Sequence, residues 1–286
     1  MTARTILVLG GSGIFGGRVA KALAETPGLS VVIAGRNAAA GSAAGARIGA
    51  GYVACDLGRE GALRAALASV APALLIHAAG PFQGARYDVA LACIEAGVHY
   101  LDLADARAFV SGIGALDGAA RARGVAVGSG ASSVPTITHA LATELAAGFE
   151  RIDALQIALS PGNQNPRGAS TIAAILGSLG KTQAVWTDGR WRAVPCWGDR
   201  RRLAFPPSVG ERDVYACDVP DLELFPQAFG ARTVRFHAGL ELRVLNAALS
   251  ALRALRAAHL VPPLAPLGIA CLRDGGDGRW SARPAR

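Results

Sequence analysis

The sequence predicts an α/β protein in which a doubly wound parallel sheet is followed by a second, α+β domain with a mixed or antiparallel sheet. Three observations predict it. Apolar strand-like runs alternate with helical runs from residue 5 to residue 127. The first run, Thr5-Ile6-Leu7-Val8-Leu9, ends in the glycine turn Gly10-Gly11-Ser12-Gly13-Ile14-Phe15-Gly16. Beyond residue 133 the strand candidates follow one another across turns more than across helices. Alternating βα units specify parallel strands joined by crossover helices, the Rossmann arrangement, whereas turn-linked strands specify antiparallel pairing.

In order along the chain, the opening strand leads through the glycine turn into a helical run that breaks at Pro27-Gly28. Strands are predicted at residues 31–34, 52–55, 73–77, 98–101 and 125–127. Helices are predicted at 38–47, 59–70, 86–96, which Gly97 stops, and 106–123, which ends at Gly124. The grammar changes at residues 129–133, so the domain boundary is placed near Val134: residues 1–133 bind the nucleotide and residues 134–272 form a substrate or dimerisation domain. Within the latter, helices are expected at 135–147 and 171–179, and strands at 152–159, 203–205 and 233–236. Residues 185–191 read as a hairpin around an Asp188-Gly189 turn. The polar stretch at 273–286 reads as a disordered tail.

The glycine turn carries the strongest chemical signal. Gly11-x-Gly13-x-x-Gly16 fits the dinucleotide-binding spacing, and Gly10-x-x-Gly13-x-x-Gly16 fits the related frame. Glycine allows the turn to close, the backbone N–H groups to approach a pyrophosphate, and the helix to pack close to the strand. The helix N-terminus adds partial positive charge beneath the phosphates. A second strand ends on Gly35-Arg36-Asn37, and no acid occurs from Thr26 to Arg36. An NAD site ordinarily places an acid there for the ribose 2′-hydroxyl. Arg36, aided by Asn37 and Arg47, is therefore expected to hold the 2′-phosphate of NADP, against the alternative of an ordinary exposed arginine. NADP is the expected cofactor and NAD the less favoured one.

Composition narrows the class. The 286 residues are 51% hydrophobic and 17% charged, as a sheet covered on both faces requires. The net charge of +8 is almost all arginine. Arg200-Arg201-Arg202 is the densest basic run, but no aromatic platform or DNA-binding motif accompanies it, so nucleic acid is not expected as a partner. Cys55, Cys93, Cys196, Cys217 and Cys271 form no C-x-x-C pair, which argues for free thiols in a reducing cytoplasm and against a metal site. The first apolar run belongs to the fold and does not read as a signal peptide. Residues 244–272 are broken by Arg253, Arg256, His259 and Pro262-Pro263, so no integral membrane span is expected.

Four segments carry a family resemblance. Leu9 to Gly16, His77-Ala78-Ala79-Gly80-Pro81-Phe82, His99-Tyr100-Leu101-Asp102-Leu103, and Ser129-Gly130-Ala131-Ser132-Ser133-Val134-Pro135 resemble the saccharopine dehydrogenase-like oxidoreductases. A weaker match continues through Pro161-Gly162-Asn163 and Pro166-Arg167-Gly168. The resemblance implies a Rossmann domain, an α/β substrate domain, a nicotinamide cofactor and redox chemistry at a carbon–nitrogen bond. Members are usually longer, so the second domain reads as C-terminally shortened.

Further candidates follow from position. Asp56, after the third strand, is expected either to meet the adenine amino group or to cap the next helix. Ala78, Ala79 and Gly80 lie at the carboxyl end of the fourth strand, where ligands bind in open α/β sheets. Asp102 follows the fifth strand and is the expected acid–base group, with loop capping as its alternative. His77 reads as a core histidine, and His99, Tyr100 and Asp105 complete the titratable set. Arg167 is the expected clamp for a substrate carboxylate, against the alternative of one more surface arginine. Four residues beyond Tyr52, Tyr87, Tyr100 and Tyr215 stand Asp56, Leu91, Ala104 and Val219, which excludes the Tyr-x-x-x-Lys pair of short-chain dehydrogenases. The expected function is NADP-dependent hydride transfer to or from a small amino- or keto-acid-like molecule; the alternative is a non-catalytic NADP-binding redox sensor or interaction protein. A homodimer through the second domain is also expected.

Overall fold

The structure, a computed structural model, describes residues 3–165 and 168–262. Arg167 and the expected tail at 273–286 lie outside the described residues. The nucleotide domain is built in sequence from β1 (Arg4–Leu9), α1 (Ile14–Ala24), β2 (Leu29–Gly35), α2 (Ala38–Ile48), β3 (Gly51–Ala54), α3 (Ala62–Val70), β4 (Leu74–His77), α4 (Asp88–Ala96), β5 (His99–Asp102), α5 (Arg107–Gly112), α6 (Asp117–Arg123) and β6 (Val127–Gly128). The strands pair in the order β3-β2-β1-β4-β5-β6, every neighbour parallel. The order reverses between β1 and β4, which opens a crevice at their carboxyl ends.

Alternate residues of β1 explain the continuous apolar runs. Leu7 and Leu9 pack with Leu75 and Tyr100 on one face, beneath Leu67 of α3 and Ala90 and Cys93 of α4. Ile6 and Val8 pack on the other with Val31 and Ile33, beneath Ala20 of α1 and Ala44 of α2. With helices on both faces the middles of β1 and β2 are apolar, while buried polar side chains such as His77 and Asp102 fall at the strand ends.

The helix expected over 106–123 is broken. A tight 3-10 turn at Ile113–Leu116 separates α5 from α6. The Tyr87 hydroxyl donates to the Phe109 carbonyl at 2.7 Å, and the Ile113 N–H turns to Val110 O instead. A Cβ at Gly112 would lie 2.6 Å from that hydroxyl, so glycine is what admits the tyrosine.

The remaining elements are α7 (Thr138–Ala146), β7 (Ala154–Leu159), α8 (Ala169–Ser178), β8 (Thr182–Thr187), β9 (Arg190–Pro195), β10 (Arg201–Ala204), β11 (Glu211–Ala216), α9 (Asp221–Phe229), β12 (Thr233–Ala238) and α10 (Arg243–Ala257). The expected hairpin is β8 and β9, with Asp188 at φ 52° and Gly189 at φ 74° in its turn. A four-stranded sheet runs β10-β11-β12-β7. Its first two pairings are antiparallel. Thr233 N bonds Asp153 O and Gly239 N bonds Leu159 O, so β12 and β7 advance together and the sheet is mixed. Both α9 and β11 were absent from the expected elements, because Pro226 interrupts one pattern and Glu211-Arg212-Asp213 the other.

Contacts divide the chain into two compact units, and the division departs from the expected boundary at Val134. The first unit runs to Ile157 and includes residues 185–192 and 218–236. The return of α9 accounts for this: Arg107, at the start of α5, bonds Glu223 at 2.6 Å and Asp218 at 3.3 Å. Its guanidinium also stands 5.0 Å over the Trp191 ring. The second unit holds residues 158–184, 193–217 and those from His237 onward. Its core is Leu179, Cys196, Trp197 and Tyr215, backed by Ile175, Leu249 and Leu252. No helix among the described residues is long and apolar enough to cross a membrane.

Buried Asn246 holds the approach to α10, its side chain accepting from Leu240 N at 2.9 Å and donating to Leu240 O at 2.8 Å. Asn246→Ala leaves both backbone groups of Leu240 without these partners and is expected to lower the unfolding free energy of this unit by roughly 2 kcal/mol. Urea denaturation of the variant against the wild type measures the change.

Candidate functional site

The crevice is lined first by backbone. Gly10 leaves β1 at φ +83°, in the left-handed region, and a Cβ there would lie 2.9 Å from Ala79 N and 3.0 Å from Ala78 C. Its N–H is bonded to Ala34 O at 2.8 Å, and Ala78 N to Leu9 O at 2.8 Å, so three strand ends hold the turn. At Gly11 a Cβ would lie 2.5 Å from Ile33 Cγ2, and at Gly16 it would overlap Gly10 O and lie 2.8 Å from Gly10 C. These glycines make a cradle that any side chain would fill.

Gly13 is the N-cap of α1; it offers no side-chain acceptor, and no acid stands in the first turn. Ser12, Gly13, Ile14 and Phe15 are all exposed there, the last two at 42% and 47%. An uncapped helix start with exposed N–H groups is an anion site by its dipole and geometry. The residues present therefore fit a dinucleotide pyrophosphate.

The other expected ligands divide. Arg36 is exposed at the end of β2 and holds no ion pair among the described residues. The Ser12 hydroxyl stands beside the same strand end, 3.7 Å from the Cβ position of Gly35. Asn37 caps α2, its Oδ1 accepting from Ala40 N at 3.0 Å. Arg47, in the last turn of α2, is about 15 Å along the helix from that cap and is not brought to Arg36. Asp56 does not cap a helix: its Oδ1 accepts from Gly58 N at 3.0 Å in a local turn, while the N-cap of α3 is Gly61. Ala78, Ala79 and Gly80 are half-buried along the crevice.

Asp102 is fully buried, and its Oδ1 accepts from Ala104 N at 3.0 Å, Ser129 Oγ at 2.8 Å and Gly130 N at 2.9 Å. Its carbonyl also accepts from Ala131 N at 2.9 Å. The carboxylate thus ties the loop after β6 to the end of β5, a partnership that the separate sequence segments did not disclose. Asp105, three residues on, reaches solvent and accepts from Gln83 Nε2 at 3.3 Å. Desolvation by the protein around it holds its carboxyl above the usual range.

Sequence reasoning missed the pairing of His77 with Tyr100, since residues 23 apart meet only through strand register. His77 Nδ1 and the Tyr100 hydroxyl are 3.1 Å apart, and the ring packs edge-on against Phe82. Burial lowers the His77 pKa to about 4, against smaller opposing effects of Asp102 and the Ala79 backbone. Tyr100 is pushed well up, by burial first and the Asp102 carboxylate second. His99 accepts from Ala126 N at 2.9 Å and serves the sheet edge. No group of three or more His, Cys, Asp or Glu among the described residues could hold a metal.

Residues 6–127 match the family described as saccharopine dehydrogenase NADP binding domain. Curated proteins provide no match. Among solved structures, an apo histidine-tagged saccharopine dehydrogenase (L-Glu forming) from Saccharomyces cerevisiae is 18% identical with a TM-score of 0.65, over 82% of this chain and 55% of that one. UDP-N-acetylglucosamine 3-dehydrogenase from Acidithiobacillus ferrooxidans is 17% identical with a TM-score of 0.46, over 85% and 71%. A protein of gentamicin A biosynthesis in complex with NAD is 20% identical with a TM-score of 0.46, over 84% and 66%. The likeness to the yeast enzyme is one of fold, and the match spans little more than half of its length.

Gly16→Ala sets a methyl against the Gly10 carbonyl and is expected to weaken dinucleotide binding by at least about tenfold, a loss of roughly 1.4 kcal/mol, in a calorimetric titration. His77 supplies a pH test. Its folded-state pKa of about 4 lies below the ordinary 6.5, so the unfolded chain binds the extra proton between those values. Stability should be unaffected by this group above pH 6.5 and fall by about 3 kcal/mol toward pH 4. Denaturation midpoints of wild type and His77→Gln across that window should converge as pH falls, and parallel curves would remove the assignment.

Proposed function

We propose, from the match of residues 6–127 to the saccharopine dehydrogenase NADP binding domain, that the chain is an NADP(H)-dependent oxidoreductase acting on a small amino- or keto-acid-like substrate. The observation that carries the choice of cofactor is Arg36: an exposed arginine directly after the β2 end that Ser12 approaches, with no acid between residues 26 and 36.

When bound, the nicotinamide supplies or accepts a hydride, and positioning is the protein's principal contribution. The first turn of α1 receives the pyrophosphate on its N–H groups. Arg36 forks onto the 2′-phosphate, and Ser12 offers a hydroxyl on the same side. Asn37 spends its carbonyl on the α2 cap, which leaves its amide N–H groups for that phosphate. Asp56 keeps its second carboxylate oxygen for the adenine amino group. Ala78, Ala79 and Gly80 present a wall of small residues to the ribose and nicotinamide.

For the substrate side, the proposal shifts the proton-handling role from Asp102 to Asp105. Asp102 is a positioning residue in this reading, because its buried Oδ1 already serves three donors. Asp105 reaches solvent with a raised pKa, the combination that general acid–base chemistry needs. Arg167 keeps its proposed part as the carboxylate clamp. Free thiols at Cys55, Cys93, Cys196 and Cys217 suit a reducing, cytoplasmic setting. A second reading, a nucleotide-bound redox sensor without turnover, is favoured by the complete burial of Asp102. Turnover of a keto acid with NADPH, or of an amino acid with NADP+, lost in Asp105→Asn, would discard it.

Calorimetric titration with NADPH and NADH tests the cofactor. Wild type should prefer NADPH, and Arg36→Ala should lose about 1.5–3 kcal/mol for NADPH, roughly 10- to 150-fold, with NADH unchanged. Equal affinity of the wild type for the two cofactors would overturn the assignment.

A further inference from the structure

Cys196 and Cys217 come to one place in the second unit, the first directly after β9 and the second directly after β11. The chain turns over Pro195–Gly198, where Gly198 N donates to Pro195 O at 2.9 Å. From that turn Trp197 N donates to Ala216 O at 2.8 Å, and Ala216 N donates to Gly198 O at 2.9 Å. Two residues thus oppose one, with Trp197 at φ 57° in the left-handed region, which is a β-bulge in the antiparallel pairing that continues into β10 and β11. The same register carried one residue further sets Cys196 opposite Cys217. Their side chains agree with it. Cys196 is buried in the cluster of Leu179, Trp197 and Tyr215, and Cys217 packs against that same cluster. Asp199, at φ 45°, holds the far side of the turn through His237 Nε2 at 3.1 Å.

We propose that Cys196 and Cys217 are a redox-modification site, two thiols that a hydroperoxide converts to a reversible disulfide. Residues opposed on antiparallel strands have Cα atoms about 4.5–5.5 Å apart, inside the roughly 4.4–6.8 Å that a disulfide spans. Cys217 is half-buried and Cys196 is 3% exposed, so the peroxide meets Cys217 first. The Cys217 sulfur attacks one peroxide oxygen: an S–O bond forms, the O–O bond breaks, and the departing hydroxide takes the thiol proton as water. The Cys196 sulfur then attacks the Cys217 sulfur: the S–S bond forms, the S–O bond breaks, and the second hydroxide leaves as water with the Cys196 proton. Two thiols are oxidised, and one peroxide is reduced to two waters. Cys55 and Cys93 are poorer targets, because burial pushes both thiols up, Cys93 to about 12. The new bond closes a loop that contains β10 and β11, which restricts the unfolded chain and stabilises the oxidised form. None of this depends on the nucleotide reading, so the two stand or fall separately.

Peptide mapping of the full chain tests it. The reduced protein is exposed to hydrogen peroxide, unfolded in an alkylating agent and digested with trypsin. Cleavage after Arg192, Arg200, Arg212 and Arg232 leaves Cys196 on peptide 193–200 and Cys217 on peptide 213–232. The expected product is these two peptides joined, about 2 Da lighter than the two thiol peptides together, and parted by dithiothreitol. Oxidised wild type should also unfold at a higher urea concentration than reduced wild type. That difference should vanish in Cys217→Ala and in Cys196→Ala, with circular dichroism reporting that the reduced variants are folded. The map of the wild type stands even where a variant does not fold. Both cysteines recovered fully alkylated after peroxide would overturn the proposal. So would either one joined to Cys55, Cys93 or Cys271 instead, or Cys217 recovered as a sulfinic acid with no joined peptide.

Discussion

Where the strand order turns back between β1 and β4, the backbone of Gly10 comes within contact distance of Ala78 and Ala79, and the rest of the crevice depends on that approach. No side chain of any size fits between the two strand ends, as the 2.9 Å from a Gly10 Cβ to Ala79 N makes plain. The approach sets where α1 begins, and so where its unpaired N–H groups converge. It also lines up the end of β2, so that Arg36 and Ser12 flank one opening. A dinucleotide placed in this crevice would meet chiefly backbone, in keeping with the small residues that line it.

The second organising contact is the carboxylate of Asp102. Two bonds from Ser129 and Gly130 to one oxygen join the loop after β6 to the end of β5. Beside it stand His77, made neutral by burial, and Tyr100, held protonated. Strand register, which sets Leu75 beside Tyr100 and His77 beside Asp102, brings these buried polar side chains together. In the proposed reading Asp102 supports the loop, and Asp105, the neighbouring carboxylate in reach of solvent, handles the proton.

Much of this was legible from local patterns. The runs at residues 5–9 and 31–34 announced buried parallel strands, because a strand covered on both faces has no alternation to show. Gly97 and Gly124 marked helix ends, and Asp188-Gly189 a hairpin turn, since positive φ favours those residues. Other features had no local signal. The break before Ile113 comes from the Tyr87 hydroxyl, which takes the Phe109 carbonyl 22 residues away in sequence. The segment of α9 joins the first unit through Arg107, more than a hundred residues earlier.

By itself, then, the amino-acid sequence determined the fold class, the glycine cradle and the absence of an acid beside Arg36, because each depends on residues adjacent along the chain. Tertiary structure alone decided the partners of Asp102, the neutrality of His77 and the joining of α9 to the first unit. Those properties depend on which distant groups share a space and how much water remains between them, and neither quantity is written in local order.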